Sequence, residues 1–140
     1  MKVYAERRNF GEVMDSDCVL IIDDDKDLCS ELADFVETIG LETVFVHDGI
    51  TGLSVLGELL PKVALIDVQM PGMNGIDVVK EVRSKHPEVS LVLMSGADKA
   101  ELETLVGPDK DIIVLSKPLP LNDLGKFLRM TFGKPIWAAS

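Results

Sequence analysis

Five short apolar runs punctuate the chain: Val19-Leu20-Ile21-Ile22, Val44-Phe45-Val46, Val63-Ala64-Leu65-Ile66, Leu91-Val92-Leu93-Met94 and Ile112-Ile113-Val114-Leu115. Each is continuous rather than alternating, the pattern of a strand buried on both faces. Between the runs, apolar residues fall at helical spacing. Leu28, Leu32, Phe35, Val36 and Ile39 form one stripe that ends at Gly40, a natural C-terminal cap. Asp48 is placed to cap a second helix carrying Ile50, Leu53, Leu56 and Leu60, which Pro61 closes. Ile76, Val79 and Val82 mark a third, stopped near His86-Pro87. A fourth and weaker one runs around Ala100 to Val106 and ends at Gly107-Pro108. A fifth follows Pro120, with Leu121, Leu124, Phe127 and Leu128 on one face.

Strands alternating with helices predict an α/β fold of order (βα)5, a parallel sheet covered on both faces through right-handed crossovers. In such open sheets ligands bind outside the carboxyl ends of the strands, where strand order switches. After the first run come Asp23, Asp24 and Asp25; after the third, Asp67; after the fourth, Ser95; after the fifth, Ser116 and Lys117. Taken singly, each has an ordinary explanation. Asp23 to Asp25 can cap a helix, Asp67 can be a loop carboxylate, Ser95 a cap and Lys117 a solvated lysine. Their shared placement at one sheet edge argues for a composed site.

That site has a defined chemistry. Mg²⁺ prefers oxygen ligands, takes one or two carboxylates and keeps waters or phosphate oxygens for the rest, which suits the acidic group. The Asp67 carboxylate can accept a phosphoryl group as a nucleophile. Ser95 can donate a hydrogen bond to a phosphate oxygen, and Lys117 can bring a compact positive charge to it. His47 and His86 have no partners at metal-ligand spacing and read as surface histidines without a role. Met70, Met73 and Met94 read as packing residues.

Composition narrows the setting. The 140 residues suit one domain, and 46% apolar with 27% charged residues is the balance of a folding chain rather than a disordered one. A net charge of -10 excludes a nucleic-acid surface on this chain, because phosphate backbones require clustered Lys and Arg. Cys18 and Cys29 lack a CxxC spacing and read as reduced structural thiols, which points to the cytoplasm. No run is long enough for a membrane span, and the segment before Asp17 has no apolar signal core, so residues 1–16 read as an N-terminal tail.

With these residues in place, the chain resembles the receiver domain of two-component response regulators, a flavodoxin-like family. The resemblance covers about Asp17 to Gly133. It is carried by V-L-I-I-D-D-D, A-L-I-D-V-Q-M-P-G-M-N-G, L-V-L-M-S-G-A and V-L-S-K-P-L, four linked motifs in order. It implies a five-stranded parallel sheet of order 2-1-3-4-5 with helices on both faces. It implies that Asp67 is the phosphoacceptor, that Asp23 and Asp24 hold Mg²⁺ together with Asp67, and that Gln69 offers its backbone carbonyl to the metal. By the same resemblance Ser95 is the hydroxyl that moves toward the phosphoryl group, Lys117 the lysine that accompanies it, and Pro118 a residue joined by a cis peptide. Pro71, Gly72 and Gly75 match the loop that turns the chain away.

The family further implies a histidine kinase or histidine phosphotransfer protein as phosphodonor. The partner reading it would be a downstream protein target or output domain, reached through the surface of the fourth helix, fifth strand and fifth helix. Such a domain catalyses only its own phosphorylation and dephosphorylation. The sequence departs from the family pattern at Val114, where a Tyr or Phe is usual, and Gln69 and Ala97 occupy positions that tune acyl-phosphate hydrolysis. Residues 17–133 are expected to form the domain, and 134–140, with Trp137, a tail or the start of a linker. The alternative is a phosphohydrolase resembling haloacid dehalogenases, with Asp23 as nucleophile and Asp25 as acid/base. Asp27 at the usual Thr or Val position, the lack of a cap and an idle Asp67 speak against it.

Overall fold

The computed structural model describes residues 18–96, 98–107 and 111–135. The expected N-terminal tail at 1–16, residues 136–140 of the expected C-terminal tail 134–140, with Trp137, and the tuning position Ala97 lie outside the described residues. Five strands, β1 (Cys18–Ile22), β2 (Glu42–Val46), β3 (Val63–Asp67), β4 (Ser90–Ser95) and β5 (Ile112–Ser116), alternate with α1 (Lys26–Thr38), α2 (Gly49–Leu59), α3 (Gly75–Lys85), α4 (Lys99–Val106) and α5 (Leu121–Phe132). All strand pairings are parallel and the order is β2-β1-β3-β4-β5, as expected.

The strands are short and almost wholly buried because side chains of both parities have a helix layer to meet. Leu20, Ile22, Ala64, Ile66, Leu91 and Leu93 face α2, α3 and α4, whereas Val19, Ile21, Val63, Leu65, Val92 and Met94 face α1 and α5. Four helices begin on a side-chain cap: Asp25 accepts from the Leu28 N–H, Asp48 from Thr51, Asn74 from Asp77 and Asp98 from Ala100. Each cap satisfies one of the amide donors that a helix start leaves over, and each points the following chain back across the sheet.

Two helix faces differ from expectation. In α2 the buried residues are Gly49, Gly52, Val55, Leu56 and Leu59, while Ile50 is 72% exposed and Leu60 turns into the left-handed C-cap ahead of Pro61. The physical reason is close approach. A Cβ on Gly52 would lie 2.5 Å from Ile22 Cδ1, so the helix seats on β1 through its glycines and rolls Ile50 outward. In α5 the core side is Leu124, Gly125 and Leu128, with Leu121 exposed and Phe127 half-buried. In α1, Cys29 and Ala33 join Leu32 and Val36 in the core, with Leu28, Phe35 and Ile39 at its rim. Among the described residues no helix is long and apolar enough to cross a membrane.

Candidate functional site

Parallel strands place all carboxyl ends on one edge. The ladder hydrogen bonds continue just past them: the Asp23 N–H reaches Val46 O at 3.1 Å, Val68 N–H reaches Met94 O at 3.0 Å and Lys117 N–H reaches Ser95 O at 2.8 Å. Asp23, Asp67, Ser95 and Lys117 therefore follow or end strands whose directions are still fixed by the sheet. Asp23, Asp67 and Ser95 are buried, Asp24 and Gln69 are exposed and Lys117 is half-buried. The loop after β3 turns away as the Pro and Gly residues predict. Gly72 has φ +79°, and Gly75 lies so close to Asp67 that an added Cβ would overlap the Asp67 carbonyl oxygen and sit 2.7 Å from Val68 Cα.

The charged atoms converge. One carboxylate oxygen from each of Asp23, Asp24 and Asp67 lies within 4.8 Å of the others. Lys117 Nζ stands 3.4 Å from Asp23 Oδ2 and 3.4 Å from Asp67 Oδ1. Backbone donors hold the same carboxylates: Asp25 N–H gives to Asp23 Oδ1 at 2.9 Å, and Gln69 N–H gives to Asp67 Oδ1 at 3.2 Å. The Lys117-Pro118 peptide is cis. The edge thus brings together Asp23, Asp24, Asp67 and Lys117 directly, with Ser95 beside them at the end of β4. Asp25 is instead spent on capping α1.

Burial dominates the electrostatics of Asp23. Desolvation, with the Asp67 charge adding to it, raises its carboxyl from 3.8 to about 6 against the opposing Asp25 N–H and Lys117. For Lys117, burial alone would lower the ammonium, and the pull of Asp23 and Asp67 outweighs it, so the group is held charged above its ordinary value. Two buried carboxylates, Asp23 and Asp67, with a third carboxylate at solvent, are an oxygen-donor set short of positive charge. A small divalent cation would supply that charge, so the residues present fit Mg²⁺.

One residue against the backbone of the site carries no signal in the sequence. His47 is not a surface histidine: it is half-buried, and its Nδ1 lies 3.0 Å from the Asp23 carbonyl oxygen. It directly follows β2, at the same sheet edge as Asp23 and Asp67. Cys29 reaches the same oxygen through Sγ at 3.3 Å.

Comparison with known proteins places the chain in a family. The model of the response regulator receiver domain family matches residues 19–129. The transcriptional regulatory protein CpxR of Escherichia coli (strain K12) is 36% identical over 108 residues, covering 75% of this chain and 44% of that protein. The DNA-binding response regulator MtrA of Mycobacterium tuberculosis (strain CDC 1551 / Oshkosh) is 32% identical over 84 residues, covering 60% of this chain and 37% of that protein. The chain thus spans less than half the length of these curated relatives. In fold it superposes on the chemotaxis protein CheY4 of Vibrio cholerae with a TM-score of 0.74 at 23% identity, covering 84% of this chain and 99% of that one. The two component transcriptional regulator AraC from Clostridium phytofermentans gives 0.74 at 25%, covering 84% and 94%.

Proposed function

The chain belongs to the response regulator receiver domain family, and from that premise we propose that it accepts a phosphoryl group on Asp67 from a phosphohistidine of a cytoplasmic histidine kinase or phosphotransfer protein. The observation that carries this reading is the position of Lys117 Nζ at equal distance from Asp23 and Asp67, above three carboxylates that share one small volume. Residues 17–133 are the proposed domain.

With Asp67 Oδ1 held by the Gln69 N–H and by Lys117, the other carboxylate oxygen is offered to the donor phosphorus. A P–O bond forms as the P–N bond of the phosphohistidine breaks, and the imidazole leaves with the electron pair and takes up a proton. Lys117 neutralises charge on the transferring group, and Ser95, buried at the end of β4, donates its hydroxyl to a phosphoryl oxygen once the group arrives. Asp23, Asp24, Asp67 and the Gln69 carbonyl are the proposed holders of Mg²⁺. When bound, the ion would supply positive charge that offsets the carboxylates and the incoming phosphoryl group.

The product adds roughly -1.5 to -2 charge and three acceptor oxygens at the β3 end. Ser95 and Lys117 reorganise around it, and we place the readout on the α4, β5 and α5 surface, recognised by a downstream protein or output domain. Val114 is buried in β5 where the family usually carries an aromatic ring, so this chain transmits the change without one. Intact-protein mass after incubation with acetyl phosphate tests the reading. One added phosphoryl group, dependent on Mg²⁺, prevented when EDTA is present during the incubation and lost in Asp67→Asn, is expected. Catalytic phosphate release that only Asp23→Asn stops would overturn it in favour of a phosphohydrolase.

A further inference from the structure

The Asp23 carbonyl oxygen receives side-chain donors from two different elements. His47, directly after β2, places Nδ1 at 3.0 Å, and Cys29 of α1 places Sγ at 3.3 Å. The two donor atoms are 3.9 Å apart because they converge on one acceptor. A carbonyl can only accept, so the imidazole proton resides on Nδ1. A thiol S–H is a donor too, so Cys29 gives its proton to the same oxygen. On its other side Asp23 gives its N–H to Val46 O.

Both peptide units flanking Asp23 are thereby fixed. The second of them, joining Asp23 to Asp24, is where the chain leaves the sheet. Its orientation decides where the exposed Asp24 carboxylate stands relative to the buried Asp23 and Asp67. Three carboxylates can share one cation only if this peptide holds still.

We infer that His47 is a positioning residue: its Nδ1–H, assisted by the Cys29 thiol, orients the Asp23–Asp24 peptide so that the three carboxylates converge on one divalent cation. The inference rests on the reading that Asp23, Asp24 and Asp67 hold Mg²⁺. His47 touches neither cation nor phosphoryl group. Its effect is on how tightly the ion is held, and groups that orient metal ligands in this way are commonly worth on the order of tenfold or more in affinity.

Calorimetric titration of the full chain with Mg²⁺ alone tests this in wild type, His47→Ala, His47→Asn and Cys29→Ala. His47→Ala is expected to weaken Mg²⁺ binding by on the order of tenfold. His47→Asn, whose amide N–H sits near the Nδ1 position, is expected to recover most of that loss, and Cys29→Ala to show a smaller loss in the same direction. At saturating Mg²⁺, phosphorylation of His47→Ala by acetyl phosphate returns to the wild-type rate. Unchanged Mg²⁺ affinity in His47→Ala, or equal losses in the Ala and Asn variants, overturns the inference. Should His47→Ala fail to fold, Cys29→Ala decides in its place, an unaltered affinity there overturning the role of the clamp. A wild type that binds no Mg²⁺ removes the metal reading itself, an outcome separate from failure of His47 alone.

Discussion

Asp23 holds a proton more tightly in the folded chain, at about 6, than at its ordinary 3.8. The consequence for stability has a definite sign. The stabilising contribution of protonated Asp23 is fully present below about 3.8 and is lost as pH rises through about 6, so the ionised group at neutral pH is a cost on the order of 3 kcal/mol in the metal-free protein. Asp23→Asn keeps an oxygen for the Asp25 N–H and removes the buried charge. The variant is therefore expected to be more stable than wild type at neutral pH in EDTA, with the difference shrinking toward pH 4, as thermal unfolding across that range would show. A variant less stable than wild type at neutral pH would mean that the Lys117 ion pair outweighs desolvation. The same residues show what a sequence can reveal of a site. Asp23, Asp67, Ser95 and Lys117 stood out because each follows or ends an apolar run, and a polar residue at a buried strand end needs a reason. His47 obeys the same rule after Val46. It escaped because its partner is the backbone of Asp23, 24 positions away, and a carbonyl leaves no mark in the sequence.

At the scale of an element, α2 shows why apolar periodicity misplaced a face. Counting large side chains put Ile50 and Leu60 in the core, but two glycines without side chains mark the true contact. Helix axes approach most closely where there is least to separate them, so Gly49 and Gly52 define the seat on β1 and on the Met73 loop. The same substitution should then act in opposite directions along one helix. Gly52→Ala drives a methyl into Ile22 and is expected to cost about 1–3 kcal/mol, part of which the double variant with Ile22→Val recovers. Gly57→Ala meets only His86 Nε2 at 3.9 Å on the exposed side and is expected to gain about 0.5–1 kcal/mol. Urea unfolding of the three proteins checks both signs. A neutral Gly52→Ala would show that α2 can shift away from β1. The other elements were easier to read: caps at Asp48 and Asp25 and terminators at Pro61 and Gly107 act within a few residues, so their signals are local. Leu121 in α5 departs from its stripe for a different reason: a residue in the first turn of a helix can match the apolar spacing and still overhang the core.

At the scale of the molecule, alternation of strand and helix was legible in the apolar runs, but strand order was not. Continuous runs say that a strand is covered on both faces without saying by which neighbour, and the order 2-1-3-4-5 came from resemblance to a family rather than from periodicity. That order joins fold and site. It sets β1 next to β3, so that carboxylates distant in sequence meet at one edge of a chain whose net charge is -10. Bringing them together works against self-repulsion, and a cation that binds only the assembled edge must return that free energy to the fold. Mg²⁺ at about a hundredfold excess over its dissociation constant is expected to stabilise the protein by about 2.7 kcal/mol, a shift of several degrees in Tm that EDTA reverses. Sodium chloride at matched ionic strength screens the general repulsion without occupying the edge, so its smaller effect is subtracted as the background. Asp24→Asn, exposed and outside the core, should keep the salt effect and lose most of the Mg²⁺ increment. If the two salts stabilise equally and Asp24→Asn responds like wild type, the acidic edge is a screened surface rather than a cation site, and the fold then owes none of its stability to the ion.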